Sequence, residues 1–222
     1  MYQKKGDNKP MINVMIVEDQ FMPRQLFELY INSSDKYNLL FSIENAGMAE
    51  IYCMKHPIDL ILMDVLTAGG ENGLIAAETI KKNYPHIKII IVTSMPEFSY
   101  LDRARKIGVD SFWYKEDKRE TILEIMDRTV AGENVYPDRP PELKLGGASS
   151  YDFTPTELEV LRELTSGDTN PEIAKRMHLS AETVKKHIQH MLEKTGFKSR
   201  TMLAVEARES GLVIRDKRKE DD

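Results

Sequence analysis

Acidic, hydroxyl and ammonium side chains follow short apolar runs at four places in the first 115 residues. They are Glu18 and Asp19 after the first run, Asp64 at the end of "LILMD", Thr93 and Ser94 after the fourth run, and Lys115 after the fifth. Three carboxylates brought together would repel one another unless a cation lay between them, and their oxygens suit Mg²⁺. A hydroxyl and an ammonium group opposite that cation are what the oxygens of a phosphoryl group require. The set therefore predicts phosphoryl transfer onto a carboxylate.

Each of these residues has an ordinary structural explanation when it is taken alone. An Asp such as Asp64 at the end of a strand is most often a turn or cap residue, Thr93 is common in strands, and Lys115 could be a solvated charge. Their shared position at strand ends favours a site, because the carboxyl ends of the strands in a doubly wound sheet border the crevice that binds ligands.

The elements that would position these side chains alternate strand with helix. Apolar, β-branched runs predict strands at 12–18, 38–44, 59–64, 88–94 and 111–115, and helical spacing predicts helices at about 21–32, 47–55, 73–83, 97–107 and 118–131. Near-continuous apolar strands alternating with helices are typical of a parallel sheet covered on both faces. The first domain is therefore predicted to be α/β, with a doubly wound five-stranded parallel sheet.

Residues 11–131 resemble the receiver domain of two-component response regulators, which has a flavodoxin-like fold. The resemblance rests on "VED" (17–19), "LILMD" (60–64), "VTS" (92–94) and "GVDSFWYK" (108–115), and it covers the whole domain in order. It implies that Asp64 is phosphorylated by a sensor histidine kinase. The other implied roles are Mg²⁺ ligands at Glu18, Asp19, Asp64 and the Leu66 main-chain carbonyl, phosphoryl contacts from Thr93 and Lys115, and a switch role for Phe112.

The sequence departs from the receiver pattern in the loop after Asp64. That loop usually reads like D-x-x-M-P-x-x-D-G, whereas "DVLTAGGENG" lacks Met and Pro and is one residue longer before Gly73. In addition, Glu18 replaces the commoner Asp. An alternative is therefore a degenerate receiver that regulates transcription without phosphorylation. A phosphatase of the haloacid dehalogenase type is a second alternative, but it would need an Asp where Leu66 stands.

The pattern changes after residue 131. The stretch 132–150 includes "YPDRPPELKLGGASS", which has three prolines, two glycines and two serines, and is predicted to be an exposed linker. Helical patterns alone follow, and they begin with Thr154, Pro155 and Glu157 in the order that starts a helix. The second domain is placed at 151–215 and is predicted to be an all-α, four-helix domain.

Two helices with a tight connection, in "PEIAKRMHLSAETVKKHIQHMLEK", are typical of a helix-turn-helix. Apolar residues predict one buried side of the second helix, which leaves Lys185, Lys186 and Gln189 on the other side as donors for guanine and adenine edges. An isolated lysine pair would be explained as a solvated helical face. The full predicted set of DNA contacts is Ser180, Thr183, Lys185, Lys186, His187, Gln189, Lys194 and Arg200. His187 is equally suited to the DNA backbone and to the edge of the core.

Residues 154–212 resemble the LuxR-type output domain of NarL-family regulators through "TPTELEVL", "EIAKRM", "LSAETVKKH" and "KTGFKSRT". The resemblance implies a domain that binds double-stranded DNA as a homodimer, with the helix at 180–195 in the major groove. The last helix, "SRTMLAVEARES", has more apolar residues than one core stripe needs. Its surplus face is therefore predicted to pair two output domains on an inverted-repeat operator. RNA polymerase is left open as a further partner.

The totals agree with two soluble domains and give no sign of a membrane protein. The chain has 222 residues, of which 41% are hydrophobic and 30% charged, which is a soluble globular composition. Its net charge is −5, yet 175–200 contains seven Lys or Arg against two acidic residues. The polar N-terminus contains no secretory signal, no apolar run reaches the roughly 20 residues of a membrane span, and Cys53 is the one cysteine. We expect a cytoplasmic, bacterial transcription regulator controlled by phosphorylation.

Overall fold

The computed structural model of the chain describes residues 10–115 and 120–213. They form two compact units. The first contains the described residues up to Ser94 together with Tyr100–Asp138, and the second contains Met95–Ser99 and the described residues from Arg139 onward. The start of the helix predicted at 118–131 and the last two residues of the domain predicted at 151–215 lie outside the described residues.

Strands and helices alternate in the first part of the chain. The strands are β1 (Ile12–Val17), β2 (Tyr37–Ile43), β3 (Leu60–Asp64), β4 (Leu66–Thr67), β5 (Glu71–Asn72), β6 (Lys88–Thr93) and β7 (Ser111–Tyr114). The helices are α1 (Phe21–Asn32), α2 (Ala49–Lys55), α3 (Gly73–Asn83), α4 (Phe98–Ile107) and α5 (Ile122–Val130). The strands and helices predicted from the sequence are all present, and β4 and β5 are additional.

Five of the strands form one parallel sheet in the order β2-β1-β3-β6-β7. Every residue of β3 is buried, and so is every residue of β6 except Lys88. Burial on both faces explains why these strands are almost continuously apolar. The predicted doubly wound fold is confirmed, and the carboxyl ends of β1, β3, β6 and β7 lie at one edge of the sheet.

The second unit is mainly helical. It contains a short antiparallel hairpin of β8 (Lys144–Leu145) and β9 (Ala148–Ser149), followed by α6 (Pro155–Leu164), α7 (Asn170–Met177), α8 (Ala181–Thr195) and α9 (Arg200–Glu209). Thr154 caps α6 in a capping box with Glu157, as predicted. The four helices bury one apolar cluster that includes Val184, Leu203 and Ala207. None of the described helices is long and apolar enough to cross a membrane.

The structure corrects the prediction of an exposed linker over 132–150. Val135 is buried in the core of the first unit, and its carbonyl accepts a hydrogen bond of 2.8 Å from the Phe112 amide. Leu145 and Ala148 are buried in the core of the second unit. A composition rich in proline and glycine marks turns, but it does not show which apolar residues between the turns dock onto a core. The segment free of both cores is therefore shorter than predicted.

Candidate functional site

The predicted acidic site is assembled at the carboxyl edge of the sheet. Glu18 follows β1, Asp64 ends β3 and Lys115 follows β7. The Lys115 ammonium lies 2.5 Å from Glu18 Oε2 and 2.9 Å from Asp64 Oδ2. The other Asp64 oxygen, Oδ1, accepts a hydrogen bond of 2.7 Å from the Val65 amide. Three residues that are far apart in the sequence therefore meet, and the Asp64 carboxylate is held in one orientation.

Burial controls the charges at this site. Glu18 is 0% exposed and Asp64 is 3% exposed. Burial raises the pKa of Asp64 to about 7; the Lys115 ammonium acts against this rise, and the Glu18 carboxylate adds to it. Burial would lower the pKa of Lys115, but the charges of Asp64 and Glu18 outweigh it and raise that pKa. Lys115 therefore stays charged, and a further cation would favour the ionised form of Asp64.

Three carboxylates are placed to hold such a cation. Glu18, Asp19 and Asp64 each offer one oxygen, and these oxygens all lie within 4.8 Å of one another. Two of the carboxylates already share one positive charge, that of Lys115. Oxygen ligands at this spacing, with more negative than positive charge, fit a divalent cation such as Mg²⁺. The Leu66 carbonyl as a fourth ligand stays a prediction.

Thr93 and Phe112, the predicted phosphoryl contact and switch, are both buried on neighbouring strands. Thr93 ends β6 and lies opposite Tyr114 of β7. The Phe112 ring packs against the rings of Tyr114 and Tyr136, with centroids 5.0 and 6.4 Å away. Thr93 therefore lies on β6, the strand beside β3, and Phe112 lies on β7, the next strand of the sheet. The roles of both residues stay predictions.

Arg24 belongs to the same edge and was not predicted. Its guanidinium donates to the Glu18 carbonyl at 3.1 Å and to Glu44 Oε1 at 2.7 Å. It therefore ties the turn after β1 to the turn after β2. The sequence contains only a weak signal for this role: a cation in the first turns of α1 is unfavourable beside the positive end of the helix dipole and needs a partner.

The helix-turn-helix is formed by α7 and α8. His178 ends α7 in the left-handed conformation, with φ of 54°, and Ser180 caps α8 by accepting from the Thr183 amide at 3.0 Å. The buried side of α8 is the apolar one, as its sequence spacing predicts. Lys185, Lys186 and Gln189 are exposed on the other side.

Two predicted phosphate contacts have other partners within the second unit. The Lys194 ammonium bonds Glu157 Oε2 at 2.7 Å and the Asp152 carbonyl at 2.8 Å. The Arg200 guanidinium bonds Asn170 Oδ1 at 2.8 Å and the Asp168 carbonyl at 2.6 Å. Their donors hold helices together, so this geometry does not favour the predicted phosphate contacts. His187 is half-buried, which fits either of its two predicted positions.

Comparison with known families identifies both domains. The family model for the response regulator receiver domain matches residues 14–127, and the model for bacterial regulatory proteins of the luxR family matches residues 152–207. The chain therefore belongs to the response regulators that carry a receiver domain and a LuxR-type DNA-binding domain.

The individual relatives span nearly the whole chain. The response regulator protein VraR of Staphylococcus aureus (strain Mu3 / ATCC 700698) is 31% identical over 212 residues, which cover 91% of this chain and 99% of VraR. A structure of RcsB from Salmonella enterica serovar Typhimurium bound to promoter rprA with the phosphomimetic BeF3⁻ has a TM-score of 0.56 at 18% identity and covers 88% of this chain and 97% of RcsB. A structure of two RcsB dimers bound to two parallel DNAs has a TM-score of 0.60 at 17% identity, covering 89% and 98%. At these identities the RcsB structures show a shared fold.

Proposed function

We propose that a sensor histidine kinase phosphorylates this response regulator on Asp64, and that the phosphorylated protein binds an operator as a homodimer. The observation that supports the acceptor role most directly is the buried Asp64 carboxylate, with its orientation fixed by Val65 and with the Lys115 ammonium 2.9 Å away. The haloacid dehalogenase alternative is disfavoured because Leu66 stands where that chemistry needs an Asp. The uptake of one phosphoryl group at Asp64 from acetyl phosphate tests the proposal.

In the proposed reaction an Asp64 oxygen attacks the phosphorus atom of a phosphohistidine. The new bond joins this oxygen to phosphorus, and the bond between phosphorus and the histidine nitrogen breaks. The Lys115 ammonium and the Thr93 hydroxyl contact the phosphoryl oxygens. They stabilise the negative charge on these oxygens during the transfer. Glu18, Asp19, Asp64 and the Leu66 carbonyl would hold Mg²⁺, which supplies positive charge to the same oxygens.

Homodimer formation is proposed to use α9. Met202 and Val205 are 44% and 47% exposed, whereas Leu203 and Ala207 of the same helix are buried. The exposed pair leaves an apolar face beyond the one that the core uses. A two-fold pair of output domains would present two copies of α8 to inverted half-sites about one DNA turn apart. The DNA-bound RcsB dimers, which share the fold, support this assembly.

We assign the recognition of the DNA base sequence to the exposed face of α8. Replacing Lys185, Lys186 or Gln189 singly with Ala should cost about 1–3 kcal/mol on the operator and much less on random DNA, because each would lose contacts to base edges. Binding constants for both DNAs, measured at one salt concentration, give the comparison. Lys82→Ala is the matched control for the two lysine variants, since Lys82 is an exposed lysine of α3 and its loss removes the same charge. Equal losses on both DNAs would show that the residue contacts only phosphates.

Membership of the family supports a place of action in the bacterial cytoplasm, where the kinase domain and the operator are both accessible. RNA polymerase is a proposed further partner of the DNA-bound dimer.

A further inference from the structure

The loop between Asp64 and α3 has a structure of its own in this chain. Leu66–Thr67 and Glu71–Asn72 pair as the antiparallel strands β4 and β5, with Gly69 and Gly70 in the left-handed conformation at the tip. Glycine adopts that conformation without the steric cost that a side chain brings. The hairpin replaces the shorter loop with Met and Pro that is usual in receivers.

Thr67 fixes this hairpin from within. Its side chain is buried, and its hydroxyl accepts a hydrogen bond of 3.0 Å from the Ala46 amide and donates one of 3.0 Å to the Glu71 carbonyl. The same hydroxyl therefore joins the two strands of the hairpin to each other and to the turn after β2. Because this buried hydroxyl both donates and accepts a hydrogen bond, it leaves the main chain of the hairpin little freedom.

The turn after β2 supplies two more bonds to the hairpin. Asn45 Nδ2 donates to the Ala68 carbonyl at 2.9 Å, and the Ala68 amide donates to the Glu44 carbonyl at 2.9 Å. The Glu44 carboxylate is bonded in turn by Arg24, which also donates to the Glu18 carbonyl. A continuous set of bonds therefore links the hairpin to the turn that carries two of the predicted metal ligands.

The two ends of the loop are also fixed. At its start the Val65 amide bonds the Asp64 carboxylate, and at its end the Gly73 amide bonds the Val65 carbonyl at 2.8 Å. A Cβ on residue 73 would lie 1.9 Å from the Asp64 carbonyl oxygen, so only glycine permits this approach. Leu66 thus lies between Asp64 and Thr67, both of which are held in place.

We propose that Thr67 and Asn45 are positioning residues that hold the Leu66 main chain beside the carboxylates and thereby set the affinity for Mg²⁺. This inference rests on the proposed function, which assigns the Leu66 carbonyl to the metal. Neighbours that orient a ligand typically change metal affinity by about 10- to 100-fold when they are removed.

The test is Mg²⁺ binding to full-length Thr67→Val, measured by isothermal titration calorimetry beside the wild type. We expect affinity to fall by about tenfold or more. Hydrogen exchange at the Ala46 amide should become faster, because that amide loses its acceptor. Thr79→Val is the matched control: Thr79 also bonds a carbonyl, that of Ile75 within α3, and its loss should leave Mg²⁺ affinity unchanged. Asn45→Ala provides a second variant and should lower the affinity in the same direction.

The outcomes separate this inference from the proposed function. Wild-type affinity in both Thr67→Val and Asn45→Ala would overturn the positioning role and leave the role of Asp64 intact. An equal loss in Thr79→Val would also overturn it, because the effect would then be general destabilisation. A wild-type protein that binds no Mg²⁺ would contradict the proposed function itself.

Discussion

Full-length protein carrying Asp64→Asn should take up no phosphoryl group from acetyl phosphate and Mg²⁺, whereas the wild type should take up one. Asn has the shape of Asp but lacks the anionic oxygen that attacks phosphorus. It also removes one of the two carboxylates that the Lys115 ammonium contacts. Intact-mass spectrometry measures the uptake, and peptide mapping locates it.

Asp59→Asn is the matched control for this experiment. Asp59 precedes the same strand at its opposite end, is exposed, and accepts a hydrogen bond of 2.8 Å from the Asn13 amide. That variant should be labelled like the wild type. Continued labelling of Asp64→Asn would show that another residue accepts the phosphoryl group. That result would contradict the proposed mechanism.

Asp110→Asn should lower the free energy of unfolding of the first unit by about 3 kcal/mol, the lower end of the range for breaking a buried ion pair. The Asp110 carboxylate is buried and bonds the Lys81 ammonium at 2.8 Å, the Lys88 ammonium at 2.9 Å and the Ile89 amide at 2.9 Å. The lower end applies because the Lys88 side chain is 38% exposed and can be solvated. Urea unfolding followed by the fluorescence of Trp113, the one tryptophan, reports on this unit.

The effect of Asp110 should also depend on pH. Burial alone would raise the pKa of Asp110, but the hydrogen bonds from Lys81, Ile89 and Lys88 outweigh it and lower that pKa. The folded-state pKa is therefore below the unfolded one, so the stabilisation is complete above the unfolded pKa of about 3.9 and is lost as the pH falls through the folded pKa. The difference between variant and wild type should be constant from about pH 5 to 8 and shrink below about pH 4.

Asp127→Asn is the control for the Asp110 substitution. Asp127 also pairs with a lysine, Lys36, at 2.6 Å, but their side chains are 54% and 46% exposed. An exposed pair contributes about 0–1 kcal/mol. The side-chain oxygen of Asn can still accept the hydrogen bond of 2.7 Å that the Tyr37 hydroxyl donates to Asp127, so this variant should unfold almost like the wild type. A loss for Asp110→Asn no larger than that of Asp127→Asn would show that burial does not strengthen the Asp110 network.

Long, periodic elements could be predicted from the sequence, and short ones could not. The predicted bounds of α1 and α3 coincide with the observed ones, and each sheet strand is found within one residue of its prediction. The hairpins β4–β5 and β8–β9 were missed because two-residue strands contain no periodicity to detect. The prediction of an exposed linker was wrong because the burial of Val135 and Leu145 depends on cores formed by distant residues.

The candidate sites, too, could be predicted from the sequence only in part. The meeting of Glu18, Asp64 and Lys115 follows from a topological rule, since parallel strands place their carboxyl ends at one edge. The role of Arg24, by contrast, depends on where the turn after β2 lies in space. For the same reason, the sequence could not show that Lys194 forms an ion pair with Glu157, and the DNA contact of Lys194 stays a prediction.

We propose that phosphorylation of the receiver controls operator binding. The most direct test is the operator affinity of the full-length protein with and without beryllofluoride and Mg²⁺. The isolated second domain, measured at the same salt concentration, provides the reference, since salt alone shifts these constants strongly. That domain should begin at residue 139, where the continuous part of the second unit starts, so that Leu145 and Ala148 of its core are included.

An allosteric coupling of about 1–3 kcal/mol predicts that beryllofluoride tightens operator binding of the full-length protein by roughly 5- to 150-fold. The isolated domain should bind without any phosphoryl mimic. Equal operator affinity of the full-length protein in both states, matching that of the isolated domain, would contradict the account and favour a receiver that acts without phosphorylation.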